Sequence, residues 1–209
     1  MRDHCSKLSG YQAVLAVGKG DLDGGESLAL KALRFRENFA IAWDTLGFLE
    51  KTRAETGPSA PRREKHFRQA DEYFRRAISL APYTQSFLEH QVQAMFARGR
   101  LEQALDLQVA LVEKFPRLPN QYKNLALVLM KLGRFQGALA AAQRSPELHH
   151  YYIPGYSLKG QALMALGRLQ EALATFEEER KILERLGRTD PTGQIDLHIK
   201  LLKAKLGIK

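Results

Sequence analysis

The chain has a single cysteine, Cys5, in 209 residues. That excludes an internal disulfide framework, so nothing requires an oxidising compartment. Long apolar runs are missing too. No stretch approaches the ~20 apolar residues that cross a bilayer, and the run from Ala13 to Val17 is too short for the core of a signal peptide. A cytoplasmic, soluble protein is expected, with the soluble part of a membrane-associated assembly as the alternative.

Signatures of catalysis are equally scarce. There is no nucleophile elbow, and no Cys/His arrangement stands at a catalytic spacing. The six histidines contain no H-x-x-x-H pair. His149 and His150 are adjacent, and on a helix their side chains diverge by about 100°, too far to chelate one ion easily. The stretch from Gly18 to Gly25 lacks the preceding strand and the G-x-G-x-x-G pattern of a dinucleotide site. It also lacks the further oxygen ligands and bidentate Glu of a calcium loop. No catalytic residue, metal or cofactor is expected, and the chain reads as non-enzymatic.

What is present is an ordinary globular mixture, 44% hydrophobic and 26% charged. It suffices for a sizeable core, in one extended domain or two small ones. A formal net charge of +9 favours acidic proteins, nucleic acid or an anionic membrane through long-range attraction, and is also what a solvated basic face produces.

A fixed period organises the chain. Gly99-Arg100-Leu101-Glu102-Gln103-Ala104-Leu105 recurs as Gly133-Arg134-Phe135-Gln136-Gly137-Ala138-Leu139 and as Gly167-Arg168-Leu169-Gln170-Glu171-Ala172-Leu173, with the three glycines 34 residues apart. Val92, Ala126 and Gly160 march in step upstream. Glycine takes the left-handed conformation where one helix ends and the chain turns. The small residues at 104, 138 and 172 let a second helix approach the first. Apolar spacing around them is helical, as in Leu125, Leu129 and Leu132, and no strand-like alternation competes. Each unit reads as an antiparallel helix pair.

These features resemble the tetratricopeptide repeat family, whose period is 34. The pattern is carried by Trp43, Leu46 and Gly47, then Ala70, Phe74, Ala77 and Pro82. Tyr122, Leu125 and Ala126 carry it again, as do Tyr156, Gly160, Ala172 and Phe176. Gln91 and Lys159 depart from the family's Leu, and Gln108 from its aromatic residue. The resemblance covers roughly residues 6–186. It implies an all-α fold, a right-handed α-solenoid of about five antiparallel helix pairs plus a C-terminal capping helix, as one domain over 1–209. It also implies that Trp43 packs between helices.

Two stretches interrupt the register. Gly47 to Val92 and Gly25 to Ala70 each span 45 residues, 11 more than the period. An insertion near 57–68 is expected in the second pair, at the breaker cluster Thr56-Gly57-Pro58-Ser59-Ala60-Pro61. It should project as a loop and helix extension whose Arg62, Arg63, Lys65 and Arg68 contact an acidic partner. Beyond Leu186, the turn-rich Gly187-Arg188-Thr189-Asp190-Pro191-Thr192-Gly193 precedes a helical stripe of Ile195, Ile199, Leu202 and Leu206. A solenoid needs a cap over its last apolar face, so a capping helix over 194–206 is expected. The other reading is a basic amphipathic helix that touches a membrane or a calmodulin-like partner.

In tetratricopeptide arrays the first helices of successive pairs line a concave groove. Carried onto this chain, the groove residues are Asp44, Thr45, Phe48, Glu89, His90, Gln93, Lys123, Asn124, Leu127, Ser157 and Gln161. Such a mixture of polar groups and apolar anchors suits an extended peptide or a docked helix. The family's carboxylate clamp for chaperone tails is not expected. It pairs Lys with Asn four residues on, whereas Gly10 and Val14 hold the first-unit positions and Lys123 is followed by Leu127. The expected function is a non-catalytic scaffold or adaptor for another protein. The alternatives are an accessory module of a larger enzyme or membrane assembly, and a basic helical-repeat RNA binder. The last is disfavoured because the aromatic residues fall on the packing register.

Overall fold

The structure, a computed structural model, describes residues 2–190 and 192–208, without the side chain of Arg2. Pro191 of the expected turn lies outside the described residues. Those residues form eleven helices and no strand. They divide into two compact units, Met1–Arg100 and Leu101–Lys209.

The first unit holds α1 (Arg2–Gly18), α2 (Leu22–Phe35), α3 (Ala40–Thr56), α4 (Ala60–Leu80) and α5 (Gln85–Ala97). Here α1 pairs with α2 and α3 with α4, while α3 touches both α1 and α5. The second unit holds α6 (Leu101–Lys114), α7 (Pro119–Lys131), α8 (Phe135–Leu148), α9 (Ile153–Ala165), α10 (Leu169–Arg185) and α11 (Gln194–Leu206). There α7 pairs with α8 and α9 with α10, α7 lies beside α9, and α11 packs on α10.

The repeated glycines end helices by the mechanism their spacing suggests. Gly99, Gly133 and Gly167 have φ of +79°, +72° and +74°. The next residue's N–H reaches back to close the last turn: Arg100 to the Met95 carbonyl, Arg134 to Leu129 and Arg168 to Leu163, each at 2.9 Å. A Cβ on any of the three glycines would meet nothing within 4 Å. Backbone conformation, and not space, selects glycine there.

Inside the hairpins, space decides. A Cβ at Gly47 would sit 2.6 Å from the Phe74 ring, and one at Gly160 2.5 Å from Phe176. In the α7/α8 hairpin the same two register positions hold Ala126 and Ala142, which share one core cluster. Phe against Gly fills the interhelical space from one side, whereas around the two alanines Leu125 and Leu129 pack on the same cluster. Gln108 occupies the register position of Phe74 and Phe176, and it is buried. Its amide donates to the Gln121 side-chain oxygen at 2.9 Å and the Gln121 carbonyl at 3.0 Å. The departure from the family pattern is thus a buried polar pair in which the Gln108 amide N–H donates to Gln121, while its side-chain oxygen has no hydrogen-bond partner.

The eleven extra residues lie in two helices. α3 and α4 have 17 and 21 residues against 13 and 14 in α7 and α8, so about four lengthen α3 and seven lengthen α4. The link between them, Gly57 to Ser59, is as short as the other hairpin links. Phe67, which follows the extension at the register position of Leu101, Phe135 and Leu169, is buried. Arg98 bridges α4 to α5, with Nε 2.9 Å from Glu64 and Nη1 2.6 Å from Asp71.

At the C-terminal end Ile195, Ile199 and Leu202 are buried with Leu173, Phe176 and Leu183, and Leu169 and Leu206 pack against that cluster. α11 covers the apolar face of α10 as a capping helix. Trp43 packs on Tyr73 with ring centroids 5.6 Å apart, and its indole N–H donates to the Glu37 carbonyl at 2.8 Å.

Candidate functional site: two concave surfaces

In the first unit, α1, α3 and α5 enclose a concave cavity of about 420 Å³ lined by Val14, Val17, Gly18, Asp44, Thr45, Phe48 and His90. Four of the expected groove residues therefore meet on one surface. Its polar edge is a bonded pair: His90 Nδ1 lies 2.9 Å from both carboxylate oxygens of Asp44. The imidazole also lies between two rings, 5.5 Å from Phe48 and 6.1 Å from Phe74. The Lys51 ammonium sits 5.4 Å from the Phe48 centroid, within cation–π range, and pairs with Glu55 at 2.9 Å. Thr45 spends its hydroxyl on the Ile41 carbonyl at 2.8 Å. Glu89 and Gln93 lie on α5 but do not line this cavity.

On α1, Val14 holds the first-unit position named for it in the sequence, and Val17 and Gly18 join it on the cavity wall. Val14 is 47% exposed, and Leu8, Tyr11 and Leu15 on the same helix are also exposed. Their helical spacing is visible in the sequence, but so is the core residue Ala13 between them.

In the second unit, Ser157 and Gln161 on α9 line a smaller cavity of about 160 Å³ shared with α10, α11 and the link before α11. Glu179 of α10 is on its wall and is 0% exposed. One of its oxygens accepts the Ser157 hydroxyl, and the other has no hydrogen-bond partner. Burial pushes its pKa up to about 7, the Ser157 hydrogen bond opposes the shift, and Asp190 adds to it. Asp190 is held below the usual range, first by the Ile195 N–H and then by Thr192. Lys123, Asn124 and Leu127 lie on α7, away from this cavity.

Glu179 was missed, although a signal exists. Its register position holds Ala77, Leu111 and Ser145 in earlier repeats, all buried. A carboxylate at a position otherwise kept apolar or small is the anomaly.

The four basic residues of the α4 extension, Arg62, Arg63, Lys65 and Arg68, are all exposed, and Arg68 pairs with Glu64 at 3.3 Å. His150 Nδ1 is 3.1 Å from the Tyr156 hydroxyl. Among the described residues, no three or more His, Cys, Asp or Glu side chains are placed to hold a metal ion. None of the described helices is long and apolar enough to cross a membrane.

Comparison with known proteins agrees with this architecture. Residues 153–178, covering α9 and the start of α10, match the family described as tetratricopeptide repeat. Human DnaJ homolog subfamily C member 7 is 29% identical over 89 residues, 43% of this chain and 18% of that protein. Its mouse counterpart is 31% identical over 93 residues, 44% of this chain and 19% of that protein. The chain thus spans less than a fifth of the curated relatives it matches. Among solved structures, Pseudomonas aeruginosa PilF superposes with a TM-score of 0.78 at 15% identity, over 99% of this chain and 86% of that one. MamA gives 0.65 at 20% identity, over 87% and 93%. YrrB, described as a TPR protein with an unusual peptide-binding site, gives 0.63 at 15% identity, over 90% and 88%. The helix pairs, their turn glycines and the matched repeat together make this chain a helical-repeat protein of the tetratricopeptide type.

Proposed function

We propose that the chain is a non-catalytic scaffold that binds an extended or helical segment of a partner protein along its first-helix faces. The observation that carries this is the cavity where Val14 and Val17 meet Asp44, Thr45, Phe48 and His90. Phe48, Val14 and Val17 offer an apolar seat for one anchor side chain, and Asp44 and His90 offer polar contacts at its edge. This is the composition of a peptide-recognition groove. The description of YrrB as a peptide binder is in keeping with the reading. The exposed Arg62, Arg63, Lys65 and Arg68 form a second contact region, suited to acidic residues of the same partner. Chaperone tails are not the expected ligand, because Gly10, Val14 and Leu127 stand where a carboxylate clamp needs polar side chains. The proposed ligand is a protein of the cytoplasm, bound without a cofactor.

Selection of displayed random peptides on the wild-type protein tests this. Enriched peptides should share an apolar anchor and lose at least ten-fold affinity on Phe48→Ala and on Val14→Asp, measured by fluorescence anisotropy. Val14 is half exposed, so its variant reports on binding with little effect on folding. Absence of enrichment, or binding indifferent to both changes, would sink the proposal.

A second reading is that the repeats serve as an accessory module within a larger enzyme or membrane assembly. It is favoured by the matched DnaJ homologs, in which the corresponding segment is a small part of a longer chain.

A further inference from the structure

The cavity around Glu179 has a chemistry that the apolar seat in the first unit lacks. Glu179 is fully buried, yet only one of its two carboxyl oxygens has a hydrogen-bond partner. The wall around it is made by Ser157 and Gln161 of α9, Phe176 of α10, Asp190 of the following link and His198 of α11. None of the described lining residues is a lysine or arginine. An ionised carboxylate here costs several kcal/mol unless it is paired, and no lysine or arginine in the wall supplies the counter-charge, so once ionised Glu179 favours a cation from outside. The volume, about 160 Å³, is several times the ~30 Å³ share of one water molecule and admits an alkylammonium or guanidinium head.

We infer that this cavity takes the cationic head of a lysine or arginine side chain from the bound partner segment, held by Glu179 with Ser157 and Gln161 at the rim. The cation would donate to the unpartnered Glu179 oxygen and neutralise it, a charge-assisted bond stronger than a neutral one. Asp190 adds negative potential beside it, its carboxylate fixed by the Ile195 N–H at 2.8 Å and the Thr192 N–H at 2.9 Å. His198 is stacked on Phe176 with centroids 4.6 Å apart, forming a flat wall for the aliphatic stem. The inference rests on the reading of the α9 face as part of a segment-binding groove.

The titratable groups on the wall are Glu179, Asp190 and His198; α9 contributes none. Because burial holds Glu179 protonated toward neutral pH, cation binding should strengthen as pH rises and Glu179 ionises.

The test is a titration of ¹⁵N-labelled protein with N-acetyl-lysine N-methylamide and with N-acetyl-arginine N-methylamide. The norleucine analogue serves as the uncharged control. At least one cationic compound should shift the Ser157, Gln161 and Glu179 amides, and norleucine should not. Affinity should rise several-fold from pH 6 to pH 8. Glu179→Gln, an isosteric change, should weaken binding at least ten-fold and abolish the pH dependence. The proposal is overturned if neither cation shifts these amides, if norleucine does so equally, or if Glu179→Gln binds as well. A pH dependence that survives Glu179→Gln belongs to His198 and also overturns it. Failure here alongside intact Phe48-dependent peptide capture would remove the cation pocket and leave the groove reading standing.

Discussion

His90 Nδ1 stands 2.9 Å from both oxygens of Asp44, joining α5 to α3 across 46 residues of sequence. Asp44 is only 7% exposed, so this contact satisfies a carboxylate that water barely reaches. It also holds the imidazole near the Phe48 and Phe74 rings, on the wall of the first-unit cavity.

Removing His90 should therefore cost more than its own packing. His90→Ala leaves the Asp44 carboxylate without that partner, a penalty of about 1–3 kcal/mol. Asp44→Ala in the His90→Ala background should cost less than in wild type, giving a coupling of about 0.5–3 kcal/mol in a double-mutant cycle. Urea unfolding of the four proteins measures it. Additive effects would show that the pair contributes geometry without net stability.

Stability should fall as pH rises through the titration of Glu179. Its folded pKa, about 7, is raised above the ordinary glutamate value of 4.5, so between those values the folded state binds more protons than the unfolded state. The stabilisation is full below about pH 4.5 and lost as pH passes 7. The shift corresponds to roughly 3 kcal/mol. Glu179→Gln should flatten this part of the pH profile and raise the melting temperature at pH 8. A wild-type profile that matches the Gln variant between pH 5 and 8 would contradict the raised pKa.

Leu202 is fully buried beneath the capping helix. Leu202→Ala should lower stability by about 2–5 kcal/mol with no partner present. Lys203→Glu should be far milder, although Lys203 is not simply solvated: its ammonium lies 3.3 Å from Glu177. Trading that half-exposed pair for two carboxylates should cost about 1 kcal/mol or less. Thermal melts of the two variants test the contrast. If Leu202→Ala melted as wild type, α11 would not act as a cap.

Reversal of Arg62, Arg63 and Lys65 to Glu should leave the melting temperature nearly unchanged, because all three side chains are exposed. The same variant should lose most of its binding to a poly-glutamate peptide in low salt. Anisotropy titrations at two salt concentrations measure this, since an interaction carried by surface charge weakens as ions screen it. Salt-independent binding that survives reversal would remove the acidic-partner proposal. Arg68 is left in place in this variant because it pairs with Glu64, and Glu64 also anchors Arg98.

The 34-residue period, the turn glycines and the α11 stripe were legible in the sequence because each is local. A glycine with φ of +79° is demanded by its own backbone, and a helical stripe is a property of one helix. Gly47 and Gly160 were also readable as close-approach positions, since the repeat supplies the register. The lining of the first-unit cavity was legible in part. Asp44, Thr45, Phe48 and His90 converge on the α1/α3/α5 surface, whereas Glu89 and Gln93 do not line it. Their place depends on how α5 is rotated against α3, which no single-helix pattern encodes. Val14, one period before Phe48, was already at a first-unit groove position, but only tertiary structure decided that Val17 joins it there and that the eleven extra residues lengthen two helices on a short link. It also decided that Glu179 is buried beside Ser157 and Asp190. Each of these depends on neighbours drawn from different helices, so burial and electrostatics arise there only after the hairpins have packed.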